Sequence, residues 1–254
     1  MVKKLHTTPL LEDIINRSRL HWYWATAVVA AIFLLLLVLA AYADSNFTNQ
    51  IDWGLWRLGL QPAIIIYILI IYPLMKKLWG RVIQSCRLLI QEEDEGNITL
   101  KITSYNRRWE WIALLSGAVF TVVISLPWGW IKQWSDIYYY FASIVSFSLL
   151  AWLIYDGLNN TRHLTQLNRN YMKIDVFNTE ALTPIGQWGL GVSLAFIGGI
   201  SISVTFQPLE NLLSFQNIIV YSILVCVTIL LFFISMWSTH NAIVRVKRHE
   251  LEIV

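Results

Sequence analysis

Six long apolar blocks, at residues 22–43, 62–78, 112–131, 137–155, 188–206 and 218–237, dominate the chain and limit what it can become. Each runs 17 to 22 residues, the length of helix that crosses a hydrocarbon core about 30 Å thick. A helix closes its own backbone hydrogen bonds, as a segment in lipid must. Only 14% of the 254 residues are charged, against roughly 25% in soluble domains, so lipid is the expected solvent. The expected fold is all-α: a polytopic transmembrane helical bundle of six helices, with residues 1–254 as one membrane domain. The first block starts at Trp22 and is longer than the apolar run of a secretory signal, so it reads as a span.

Charge placement tests that reading independently of hydropathy, because cytoplasmic segments collect Lys and Arg. With the N-terminus inside, 17 of the 19 basic residues fall on the inner side, and only Arg57 and Lys132 fall outside. Asp44, Asp52, Asp136 and Glu210 lie outside and the other twelve acids inside, so the inner surface nets +5 and the outer −2. Both termini are therefore expected in the cytoplasm. An inner basic rim of Lys76, Lys77, Arg81, Arg107, Arg108, Arg245, Lys247 and Arg248 suits anionic headgroups, each cation adding on the order of 1 kcal/mol. No basic stretch interleaves aromatics for stacking, so membrane lipid is an expected partner and nucleic acid is not.

The 13 tryptophans all fall at or near expected span ends, where an indole keeps its N–H wet and its ring in the acyl boundary. They read as two aromatic belts. Cys86 lies in an inner loop and Cys226 in mid-span, at depths that forbid a disulfide.

Taken in pairs, the blocks make three helical hairpins with inner loops at 79–111 and 156–187 and a C-terminal cytoplasmic helix at 238–254. The connection "KQWSD" at 132–136 is so short that the third and fourth spans must be antiparallel neighbours. The amphipathic run "IDWGLWRLGL" at 51–60 is expected to lie along the outer interface. In the first inner loop, Glu92, Glu93, Asp94 and Glu95 lack the oxygen spacing of a calcium loop and read as a solvated turn, followed by a weak strand-like alternation at 98–103. Thr183 before Pro184 reads as the start of the fifth helix.

The stretch "LGVSLAFIGGISISVTF" with "NIIVYSILVCVTILLFFISMWSTHNAIVRVKRHELEIV" resembles the C-terminal part of a group of uncharacterised bacterial multi-pass membrane proteins. The likeness is strongest over residues 173–254 and touches "KIDVFNTEALTPIG". It implies an all-helical integral protein of the bacterial cell membrane and carries no activity with it.

Within the fifth span, Gly191, Ala195, Gly199 and Ser203 fall four apart and form one small-residue stripe, the pattern by which membrane helices approach closely. Pro73 and Pro127 are expected to kink the second and third spans, Pro73 by failing to donate to the Leu69 carbonyl. Between the belts no span contains Asp, Glu, Lys, Arg or His, and Asp136 and Asp156, which bracket the fourth span, are expected where water reaches them. Such a chain is a poor candidate for ion coupling, since intramembrane charges mark most ion-coupled machines. The five histidines show no metal-ligand spacing, and no glycine loop cradles a phosphate. No metal, cofactor or catalytic residue is expected, and the residues do not say whether a lipid or pigment is bound. The expected function is a non-enzymatic membrane subunit or scaffold, meeting a protein partner or a second copy through the fifth span or the C-terminal helix. The alternative is a permease subunit for an apolar or lipid-like substrate, energised by a separate ATPase. An enzyme acting on lipid would require a polar cluster at the inner interface.

Overall fold

The computed structural model of the chain describes residues 8–17, 21–44, 54–87, 106–125, 134–170, 183–207 and 212–253. Among these residues the chain is all helix, in seven elements: α1 (Leu10–Arg17), α2 (Trp22–Ala43), α3 (Gly54–Arg87), α4 (Arg107–Ser125), α5 (Trp134–Asn170), α6 (Thr183–Thr205) and α7 (Phe215–Ile253). Pro127, the Glu92–Glu95 turn and the alternation at 98–103 lie outside the described residues, as do the side chains of Cys86, Pro184, Arg245, Lys247 and Arg248.

Five helices are long and apolar enough to cross a membrane, over Trp22–Ala43, Leu58–Ser85, Trp134–Gln166, Gly186–Thr205 and Asn217–Ile234. They match five of the six expected blocks. The remaining block is α4, which opens on Arg107, Arg108 and Glu110 and whose expected far end lies past Ser125, outside the described residues.

From Gly54 on, the run expected along the outer interface is continuous with the second span: α3 passes without interruption through Pro62 and Pro73 for 34 residues. Proline removes one backbone donor and leaves a carbonyl without its helical partner, a defect that lipid cannot satisfy. Here the Trp22 indole Nε1 donates to the Leu69 carbonyl at 2.7 Å, meeting from α2 the acceptor that Pro73 cannot reach. Past the expected span ends, α3 continues to Arg87 and α5 to Asn170 as helix. Trp79, Val82 and Leu164 keep an apolar face on these extensions and are buried in the core.

Sequential helices pack as hairpins, α2 on α3, α4 on α5 and α6 on α7, while α3 also meets α5 and α6, and α5 also meets α2 and α7. The pair α4 and α5 is joined most intimately. A Cβ added to Gly117 would stand 2.3 Å from the Phe147 carbonyl oxygen, so the two backbones touch where no side chain intervenes. By contrast α2 buries only Thr26, Phe33 and Ala40, spaced seven apart on one face. Its Leu35, Val38 and Leu39 stay exposed, as lipid-facing residues do.

The tryptophans do not all belong to belts. Trp24, Trp109, Trp111, Trp134 and Trp237 are exposed, but Trp79, Trp152 and Trp188 are buried. The rings of Trp79 and Trp188 meet at 5.0 Å and those of Tyr72 and Trp152 at 5.0 Å. An indole near a span end is driven to the interface only where the helix faces lipid. On the inward face it becomes core, with large apolar area buried per residue.

Candidate functional site

The helix ends where α3 finishes and α4 begins carry Lys76, Lys77, Arg81, Arg87, Arg107 and Arg108 and form the basic end of the bundle. Asn106 starts α4: its backbone carbonyl accepts from the Trp109 amide at 2.9 Å and its side-chain oxygen from the Arg108 amide at 3.3 Å. In the turn that follows, positions three apart share a face. Arg107 and Glu110 therefore point together into the protein, while Arg108, Trp109 and Trp111 are exposed.

Glu110 is buried to 1% exposure. Its Oε1 accepts the Leu10 amide at 3.1 Å, so a carboxylate from α4 satisfies one of the open N–H groups at the start of α1. The short α1 is seated by Leu10, which is buried, and by two ion pairs, Glu12 with Lys76 of α3 and Asp13 with Arg107 of α4. Arg107 also stands 3.8 Å from the second oxygen of Glu110.

Asp156 completes the cluster from α5. The expectation that water reaches it is overturned: it is 5% exposed. The apolar block ends at residue 155 but the helix does not, so the next turn remains inside the bundle. Asn160 Nδ2 donates to Asp156 Oδ2 at 3.1 Å, and Glu110, Lys76 and Glu12 all act on it electrostatically. One turn further, the Trp188 indole donates to the Thr161 hydroxyl at 3.3 Å, which itself donates to the Gly157 carbonyl at 2.8 Å. Asp136, at the opposite end of α5, is only partly buried.

The residues expected to form one rim thus divide. Lys76, though exposed, and the partly buried Arg107 hold α1 through Glu12 and Asp13, whereas Lys77, Arg81 and Arg108 are exposed on the surface. The small-residue stripe of α6 packs within the chain. A Cβ on Gly191 would meet Leu78 at 2.7 Å, one on Gly199 would meet the Tyr67 ring at 3.3 Å, and one on Gly198 would meet the Tyr67 hydroxyl at 2.4 Å. That hydroxyl donates to the Ala195 carbonyl at 2.6 Å, and Ser203 shares a hydrogen bond of 2.8 Å with Tyr221 of α7. The glycines therefore make room for a tyrosine ring, with a hydrogen bond at its tip.

Glu12, Asp13, Glu110 and Asn160 were not singled out by sequence reasoning, and Asp156 was read as a solvated residue at the end of a span. The signal existed: "LLEDIINR" pairs Leu10, Leu11, Ile14 and Ile15 with two acids, an amphipathic turn able to dock. Asp156 and Asn160 continue the inward face of Trp152 at spacings of four.

At the far end a second carboxylate closes a helix start. Asp44 accepts the Trp134 amide at 2.8 Å and the Ser135 amide at 2.9 Å. Burial acts to raise its pKa, but hydrogen bonds from the Ser135 hydroxyl and from both amides outweigh that and hold it below the usual carboxylate value.

Among the described residues no three His, Cys, Asp or Glu side chains are grouped to hold a metal ion. No family model, curated protein or solved structure matches the chain, so the reading of the site rests on its own geometry.

Proposed function

We propose that this protein is a non-enzymatic multi-pass subunit of a cell membrane that works by contact, with α4 as a sixth span and both termini on the cytoplasmic side. The observation that carries the reading is the reach of α7. Its 39 residues extend roughly 58 Å at 1.5 Å per residue, about twice a hydrocarbon core. The apolar run ends at Trp237, so 238–253 continue the same helix past it and bear Arg245, Lys247 and Arg248. An arm of this kind offers a partner, or an anionic lipid surface, a basic helix anchored in a rigid bundle. Exposed apolar residues on the membrane part of the same helix, such as Ile229, Leu230 and Phe233, favour lipid or a neighbouring helix.

Two experiments test it. Gentle detergent extraction should bring out a complex or oligomer that is lost when 238–253 are removed, and a lone monodisperse monomer with nothing bound would refute the proposal. Orientation is tested with an impermeant thiol reagent on intact cells, in a background without Cys86 and Cys226. Arg81→Cys should stay unlabelled until the membrane is opened.

A further inference from the structure

A row of contacts fixes the register between α3 and α6. Gly59 faces the Phe206 ring and Leu78 faces Gly191, the Tyr67 hydroxyl reaches the Ala195 carbonyl, and the rings of Trp79 and Trp188 meet at 5.0 Å. Residue numbers rise along α3 as they fall along α6, so the helices run antiparallel. Arg81, just past Trp79, therefore comes level with Gln187, just before Trp188. Both tryptophans are buried and mark the core side of this seam. On the other side α3 exposes Ile70, Leu74, Lys77 and Arg81, which at spacings of four, three and four share one face. From α6, Gln187 and Leu194 are exposed. They stand four residues before and three after Gly191, where α6 comes closest to Leu78, so they border the same crevice.

The crevice is apolar along its length and cationic at one end. Ile70, Leu74 and Leu194 are half exposed and lie inside the apolar spans, whereas Arg81 and Gln187 lie near the ends of those spans. Glu12 takes Lys76 and Asp13 takes Arg107, but Lys77 and Arg81 form no ion pair among the described residues. No acid stands three or four positions from either on α3. Two like charges one turn apart repel. A phosphodiester between them reverses the sign, accepting charge-assisted hydrogen bonds from the ammonium and from the planar guanidinium fork. The Gln187 amide adds a neutral donor. A headgroup ammonium would bring a third cation to the same place, so a headgroup that carries hydroxyls beside its phosphate is the better match.

We propose that the crevice between α3 and α6 holds one anionic phospholipid, with its phosphate between Lys77 and Arg81 and an acyl chain along Ile70, Leu74 and Leu194. Ile70 and Arg81 are eleven residues apart, roughly 16 Å of helix, which is about half a hydrocarbon core and so the reach of one leaflet. The bound lipid bridges two helices and stabilises the folded bundle by mass action. Its place in the cytoplasmic leaflet rests on the orientation proposed above, whereas the crevice itself lies within the described helices.

The test uses the full chain in neutral detergent, titrated with dioleoyl phosphatidylglycerol or dioleoyl phosphatidylcholine, with bound lipid counted by native mass spectrometry. One phosphatidylglycerol should bind more tightly than phosphatidylcholine and raise the melting temperature. Lys77→Gln and Arg81→Gln should each weaken it about fivefold, and the preference should vanish in the double variant. Arg108→Gln, which removes an exposed cation of α4 outside the crevice, should leave it unchanged. A second readout keeps both cations: with Cys86 and Cys226 replaced by serine, a fluorophore on Leu194→Cys should be quenched more by chain-brominated phosphatidylglycerol than by chain-brominated phosphatidylcholine. Equal affinity for the two lipids, a double variant that keeps the preference, an equal loss from Arg108→Gln, or equal quenching would each overturn the proposal. The absence of a co-extracted partner bears on the contact reading alone, and the absence of a lipid preference on this site alone.

Discussion

The two ends of the bundle use one device with different consequences. At the far end Asp44 reaches across from α2 to take the first amides of α5, and at the basic end Glu110 reaches from α4 to take the first amide of α1. In each case a carboxylate distant in sequence closes a helix start, where open N–H groups and the helix dipole favour a negative charge. Asp44 does this in contact with solvent, so the contact remains a local cap. Glu110 does it while buried and sharing Arg107 with Asp13, so the same contact becomes part of a charge balance between helices. Depth decides whether a cap is an ornament of one helix or a constraint on the whole end.

The largest effect should come from the seam that ties α4, and with it Glu110, to the rest. Gly117→Leu places a branched side chain against the Phe147 backbone and should cost roughly 3 kcal/mol or more by overpacking, seen as loss of folded protein after detergent extraction. Next, Arg107→Ala leaves Asp13, Glu110 and Asp156 with Lys76 as the remaining cation of the cluster and should cost about 3 kcal/mol. Limited proteolysis should then cut near α1 first. If Arg107→Ala melts like the unsubstituted protein, the contrast between the ends is lost.

Trp22→Phe keeps the ring but deprives the Leu69 carbonyl of its donor. A loss of about 1 to 3 kcal/mol is expected for a buried acceptor left unmatched, measured by thermal unfolding in detergent. Pairing it with Pro73→Ala should recover most of that loss, because alanine restores the helical donor. The smallest effect is at the far end, where Asp44→Ala should cost about 1 kcal/mol. Because the Asp44 carboxyl is held below its ordinary pKa, its contribution is present above the unfolded-state value and lost as pH falls through the lowered one. The difference between Asp44→Ala and the unsubstituted protein should therefore vanish in acid, whereas a difference that persists there would assign the effect to something other than the ionised cap.

Much of the fold could be read from residue order, and the site could not. Five apolar blocks became long helices, and α4 and α5 are neighbours, as the shortness of 132–136 predicts. Trp79, Trp152 and Trp188 looked like belt residues because hydropathy locates a residue along a helix axis and is blind to which way it faces. Asp156 failed for the same reason: one residue past an apolar block reads as exposed unless another helix continues beside it. Residue order gave no sign of the ion pairs of α1, since the partners Lys76 and Arg107 are 64 and 94 residues away.

Length and composition of the apolar blocks were enough to demand helices in lipid, because the cost of an unsatisfied backbone in hydrocarbon depends on nothing beyond the segment itself. Which polar side chains lie buried, and whether a buried acid meets a cation, a second acid or an open helix end, depended on how distant segments close on one another. Electrostatic energy is set by separation and solvent access in space, and neither quantity is written in the order of the residues.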